Sequence, residues 1–245
     1  MPPTISALQS VGRKRSCAAI GRVLRDKLQI VEEGIQKAAN RAGRKRSEIT
    51  LVAVTKKFAP EIICQAYELG LRHFGENYVQ EFEGKRAAVA HLSGARFHFI
   101  GHLQSNKTRV ASELFQVIQT VDSAKIAQRL DAAEKPLEVM IEVKLSHEDA
   151  KHGAGPEQLS ELIASIQTCK NLSLTGLMTM PPWSEDPEQT RPYFRKLAEL
   201  GRIHGLPKLS MGMSHDFEAA IEEGATHIRV GTALFGPRPK PEKNQ

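Results

Sequence analysis

The chain has 245 residues, 40% hydrophobic and 25% charged, with a formal net charge of +6. That composition suits a soluble globular domain, and the lack of any run of about 18 apolar residues excludes a membrane-spanning helix. The charge is uneven: residues 1–46 hold 11 Lys/Arg against 3 Asp/Glu, whereas residues 47–245 hold 23 against 25, so the slightly acidic body argues against a nucleic-acid-binding domain.

Residues 1–16 contain Arg13-Lys14-Arg15, no acidic residue and no apolar core of a secretory signal. Segment 1–17 is expected to be a disordered basic leader, with mitochondrial targeting as the alternative. Cys17, Cys64 and Cys169 match no zinc or CxxC spacing, which fits a reducing, cytoplasmic setting. Residues 18–42 read as an amphipathic helix. Ile20, Val23, Leu24, Leu28, Val31, Ile35, Ala38 and Ala42 recur at spacings of three and four, and Gly43 ends the pattern.

From there strands and helices alternate. Strands are expected at 49–55, 71–75, 97–100, 116–121, 138–144, 173–179, 208–211 and 227–230. Helices are expected near 60–70, 77–90, 104–114, 123–134, 155–168, 187–204 and 215–224. Eight strands alternating with helices predict one α/β domain over 18–236, a single (β/α)8 TIM-type barrel preceded by the N-terminal helix. A doubly wound open sheet is the rival, usually with fewer strands. Residues 237–245 read as a disordered tail.

A barrel binds ligands at the C-terminal ends of its strands. Lys56 follows the apolar run Ile49-Thr50-Leu51-Val52-Ala53-Val54-Thr55. Strand alternation puts Val52, Val54 and Lys56 on one face and Leu51, Ala53 and Lys57 on the other. Both faces are apolar, so the pattern alone does not choose; Lys56 is the expected ligand-side lysine. A lysine held at such a tip loses its proton more readily and can form a Schiff base with an aldehyde. Gly75-Glu76-Asn77 follows the second strand, Gly101-His102 the third and Asp122 the fourth. Gly212-Met213-Ser214 and Gly231-Thr232 follow the seventh and eighth strands, where barrels often hold a phosphate. An aldehyde-trapping lysine with a phosphate cradle suggests pyridoxal 5′-phosphate (PLP). Arg229, between Ile228 and Val230, would then donate to the pyridine nitrogen and leave it unprotonated, restraining carbanion chemistry. His73 and His102 are candidate acids or bases. Met178 with Met180, and Met211 with Met213, read as core filler.

The segments Leu51-Val52-Ala53-Val54-Thr55-Lys56, Phe74-Gly75-Glu76-Asn77-Tyr78-Val79-Gln80-Glu81, His98-Phe99-Ile100-Gly101-His102-Leu103-Gln104 and Lys151-His152-Gly153 occur in that order. Gly176-Leu177-Met178-Thr179-Met180, Leu209-Ser210-Met211-Gly212-Met213-Ser214-His215-Asp216 and Arg229-Val230-Gly231-Thr232 with Phe235-Gly236 follow. Together they resemble the PLP homeostasis protein family, over roughly residues 18–236. The resemblance implies a fold-type III barrel similar to that of alanine racemases. It implies Lys56 as the Schiff-base lysine and Asn77 beside the cofactor. It implies Ser214, Gly231 and Thr232 on the phosphate and Arg229 on the pyridine nitrogen. Thr55, Lys57 and His215 depart from the residues commoner in the family.

The function expected is therefore a PLP carrier or buffer serving vitamin B6 homeostasis, without robust turnover. The alternative is a PLP-dependent amino-acid racemase. Such an enzyme needs an opposite-face base, which related racemases supply as a tyrosine from a second domain; this chain ends just after its eighth strand, and of Tyr67, Tyr78 and Tyr193 only Tyr78 follows a strand end. The expected partners are PLP and, transiently, PLP-dependent apo-enzymes, with no nucleic acid or membrane, and the chain is expected to be a monomer.

Overall fold

The computed structural model describes residues 5–146 and 152–237, with side chains from Gly21 onward. Helix α1 (Ile5–Arg41) precedes the strands β1 (Thr50–Val54), β2 (His73–Glu76), β3 (Arg96–Phe99), β4 (Val117–Val121), β5 (Leu137–Glu142), β6 (Leu172–Met178), β7 (Lys208–Met213) and β8 (His227–Val230). Each strand is parallel to the next and β8 pairs with β1, so the sheet closes into a barrel in sequence order. Helices α2 (Pro60–Glu68), α3 (Val79–Val89), α4 (Thr108–Leu114), α5 (Ala124–Asp131), α6 (Leu159–Gln167), α7 (Arg191–Ile203), α8 (Phe217–Glu222) and α9 (Thr232–Phe235) follow the eight strands in turn. The fold is the TIM-type barrel that the alternation predicts.

The pleat explains the two buried layers. Leu51, Ala53, Phe74, Phe97, Phe99 and Ile118 point outward into the helix-facing core. Val52, Val117, Met140 and Met178 are buried as well but stand apart from that core, inside the barrel. Each large side chain fully buried in this way contributes about 1.5–3 kcal/mol. The helices are phased by their own residues: Pro60 starts α2 at a position where its missing N–H costs nothing.

Helix α1 begins at Ile5 instead of residue 18, so most of the segment set apart as a leader lies on the same helix. The prolines that could stop it, Pro2 and Pro3, lie before it. Its buried side carries Leu24, Val31, Ile35, Ala38 and Ala39, while Val23 of the expected stripe is 54% exposed. Gly34 lets α1 approach Phe217 of α8, where a Cβ would come within 2.9 Å of the ring. Arg41 then reaches Glu218 at 2.7 Å. The expected tail, 237–245, lies outside the described residues apart from Pro237.

Candidate functional site

The register of β1 sends Lys56 the same way as Val52 and Val54. Val54 and Lys56 line a cavity of about 620 Å³ at the C-terminal mouth of the barrel. Lys57 is exposed instead, with a φ of 65° and its N–H donating to Glu81 Oε1 at 2.5 Å. Just before Lys56, the carbonyl of Thr55 accepts from Lys85 Nζ at 3.0 Å. Lys85 also donates to Glu76 Oε1 at 2.9 Å and pairs with Glu81 at 2.6 Å, and Thr55 Oγ1 donates to Glu76 Oε1 at 2.8 Å. The backbone is thus tied down on both sides of Lys56 by side chains from α3, and Glu76 of β2 holds Lys85 and the Thr55 hydroxyl in place. Burial pushes the Glu76 carboxyl above the usual range, and the Lys85 ammonium pulls against it.

Across the mouth, β7 runs two residues beyond its expected end. Gly212 sits inside it with a φ of 86°, and a Cβ there would meet Ala220 at 2.5 Å. The chain then turns sharply: Met213 N–H donates to Asp216 Oδ1 at 2.6 Å, and Asp216 N–H returns to the Met213 carbonyl. This turn aims Ser214 at the start of α9. There the N–H groups of Gly231 and Ala233 both donate to Ser214 Oγ, each at 3.2 Å.

Arg229 rises from β8 between these two sides. It is 3% exposed and its hydrogen bonds run to neutral acceptors: Nη1 donates to Ser210 Oγ at 2.7 Å and Nη2 to the Thr179 carbonyl at 2.9 Å. Burial lowers its guanidinium to about 10, against the pull of Asp216 and Glu142. Burial likewise raises Glu142, on the neighbouring wall, to about 7 despite Arg229. Asn77 completes the cavity; its buried Oδ1 has no hydrogen-bond partner among the described residues. Gly101 permits this, because a Cβ there would collide with the Asn77 carbonyl.

Lys56, Asn77, Ser214, Arg229, Gly231 and Thr232 therefore all line one cavity. A larger hollow of about 840 Å³ lies outside the barrel beside α1 and α2, lined by Arg22, Arg25, Glu61 and Gln65 among others. It contains none of the strand-end groups, and chemistry rather than volume identifies the site. The two candidate histidines part company. His73 lies at the opposite end of the barrel, bonded to His98 at 2.9 Å. His102 stacks on His152, centroids 3.5 Å apart, in an adjoining hollow of about 600 Å³. Met178 and Met211 are buried, but Met180, past the end of β6, and Met213, at the last residue of β7, line the cavity. Sequence reasoning missed Ser210 and Gln119. Both are polar residues inside apolar buried strands, and that was the available signal.

A parallel barrel with a lysine at the tip of its first strand and phosphate-type donors after its last two defines the class of racemase-like barrels. The family model described as "Alanine racemase, N-terminal domain" matches residues 27–239. An alanine racemase from Corynebacterium glutamicum shares the fold, with a TM-score of 0.65 over 94% of this chain and 63% of that one, at 17% identity. Much nearer in sequence is the pyridoxal phosphate homeostasis protein of Aquifex aeolicus, 44% identical over 87% of this chain and 97% of the relative. The structure of PipY from Synechococcus elongatus PCC7942 with PLP bound is 36% identical, with a TM-score of 0.72 over 83% of this chain and 100% of that one. The chain belongs to the pyridoxal phosphate homeostasis protein family.

Proposed function

We propose that the protein binds PLP covalently through Lys56 and carries or buffers it, without dedicated catalytic turnover. The observation that carries this reading is the convergence of Lys56, Arg229 and the Ser214–Gly231–Thr232 donors on one cavity. The residues fit the group: the buried Asn77 Oδ1 needs a partner, and the two N–H groups that meet at Ser214 Oγ are donors suited to a phosphate. PLP, when bound, supplies an aldehyde for a primary amine and a ring able to withdraw electrons.

Lys56 would supply the amine at a position held by Lys85 and Glu81. Ser214, Gly231 and Thr232 would hold the phosphate, and Asn77 would lie beside the ring. Arg229 would face the ring nitrogen as a donor only, which keeps that nitrogen without a proton and disfavours carbanion formation. Tyr78, the tyrosine that follows a strand end, lines a neighbouring hollow of about 390 Å³ with Asn77, Gln104 and Lys107, and is not among the residues that line the Lys56 cavity. That placement supports a carrier over a racemase. In this reading the protein works as a cytoplasmic monomer and hands PLP to PLP-dependent apo-enzymes. Among the described residues no helix is long and apolar enough to cross a membrane.

The test is absorbance of the purified protein with PLP, then borohydride reduction and peptide mapping. The pyridoxyl label is expected on Lys56, and Lys56→Ala is expected to lose the visible band while staying folded. A label mainly on Lys57 would overturn the assignment. Deuterium entering the Cα of L-alanine at rates on the order of 1 per second or faster would replace the carrier reading with the racemase one.

A further inference from the structure

Beneath the cavity, a line of polar side chains runs down the inside of the barrel. Arg229 Nη1 donates to Ser210 Oγ at 2.7 Å, and Ser210 Oγ donates to Gln119 Oε1 at 2.6 Å. Gln119 Nε2 lies 2.9 Å from His98 Nδ1, and His98 Nε2 lies 2.9 Å from His73 Nδ1. The five residues come from β8, β7, β4, β3 and β2, and barrel closure alone brings them together. Ser210 and Gln119 are fully buried, and His98 is 1% exposed.

Arginine can only donate, and that fixes the sense of every bond that follows. Ser210 Oγ receives from Arg229, so its one proton goes to Gln119 Oε1. Gln119 then presents its amide N–H to His98 Nδ1. His98 must carry its proton on Nε2, and it gives that hydrogen bond to His73 Nδ1. In the reverse sense Gln119 Nε2 would donate to Ser210, leaving the Ser210 hydroxyl proton without this acceptor. A buried donor left unsatisfied costs about 1–3 kcal/mol. Each dipole in the forward sense turns its negative end towards Arg229.

We propose that Ser210, Gln119, His98 and His73 are positioning residues that hold the Arg229 guanidinium in one orientation at the cavity through a one-way hydrogen-bond chain. Burial lowers the pKa of both His98 and His73, so the chain is neutral near pH 7 and Arg229 is its single charge. With one N–H on Ser210 and another on the Thr179 carbonyl, the guanidinium cannot turn without breaking a buried bond. The link to PLP rests on the function proposed above; the chain itself does not.

Two measurements test this. In the PLP-free full chain, 15N-histidine NMR at neutral pH should find His98 and His73 both protonated on Nε2. Ser210→Ala should make His98 a mixture of tautomers, and Ser210→Thr, which keeps the hydroxyl, should restore it. Wild-type His98 protonated on Nδ1, or an unchanged tautomer in Ser210→Ala, overturns the chain even if every other variant fails to fold. In the PLP-loaded protein, Gln119→Leu should speed PLP release at least about twofold, and should add nothing in an Arg229→Gln background, because groups acting through one residue are not additive. Additive effects would show that Gln119 acts apart from Arg229. If no variant and no wild-type protein binds PLP, the function reading fails while the NMR result still decides the chain.

Discussion

On the β1–β2 side of the barrel mouth, Lys56 is flanked by backbone that a buried cluster of charges holds in place: Lys85 among Glu76, Glu81 and the Thr55 carbonyl. On the β7–β8 side, Ser214, Gly231 and Ala233 meet through backbone N–H groups and one hydroxyl. The difference follows from the job each side can do. A reactive amine needs a fixed position, and Lys85 and Glu81 supply it by holding the backbone on either side of Lys56. An anion needs converging donors, and backbone N–H groups supply them without a long side chain that must be ordered.

The largest effect should come from breaking the charged side. Lys85→Met leaves Glu76 buried without its cation, which should cost about 3–5 kcal/mol in urea unfolding, as for other buried pairs deprived of one partner. A loss below about 1 kcal/mol would mean that the pair behaves like a surface one.

The barrel interior gives the next effect, and it depends on pH. Burial lowers His227 to about 4, and His73 and His98 are lowered as well. These groups are neutral when folded, whereas the unfolded chain binds protons below about 6.5. Stability should be full above about pH 7 and fall as pH drops from 6.5 towards 4, with His227 alone contributing up to about 3 kcal/mol. Urea midpoints at several pH values should show the slope, and His227→Asn should flatten it; a level wild-type profile would contradict the burial of these rings.

Ser214→Ala probes the neutral side. Charge-assisted hydrogen bonds are worth about 1.5–3 kcal/mol, so PLP affinity should fall roughly tenfold or more. Pyridoxal, which lacks the phosphate, should lose much less. Equal losses for both ligands would place the phosphate elsewhere. The smallest effect should be Lys57→Gly: relief of its left-handed backbone should raise stability by about 1 kcal/mol or less with PLP binding unchanged. A large loss of binding would give Lys57 a part in the site.

The same contrast explains what was legible in the sequence. The neutral side is local. Its glycines, Ser214 and Thr232 sit within a few residues of two strand ends, and the chain order of a barrel places them together. Even so, Gly212 reads as a turn residue, and the sequence-based strand stopped at 211, whereas β7 continues to Met213. Four-residue α9 is too short to show a period. The charged side and the interior chain are non-local. Lys85 looks like a solvent-facing residue of an ordinary helix, yet it is only 6% exposed because α3 carries it onto Thr55 and Glu76. Ser210, Gln119 and His98 become neighbours only when the barrel closes. The choice between Lys56 and Lys57 also needed the structure, because both faces of β1 are apolar.

Trp183, the chain's single tryptophan, stands 73% exposed on the wall of the cavity and also lines the hollow beside it. An indole in that position is a built-in optical reporter. A bound chromophore that absorbs in the near ultraviolet would accept its excitation energy, so loading and unloading of the cavity should be readable as loss and return of one residue's emission, with no dye attached and no second tryptophan to obscure it.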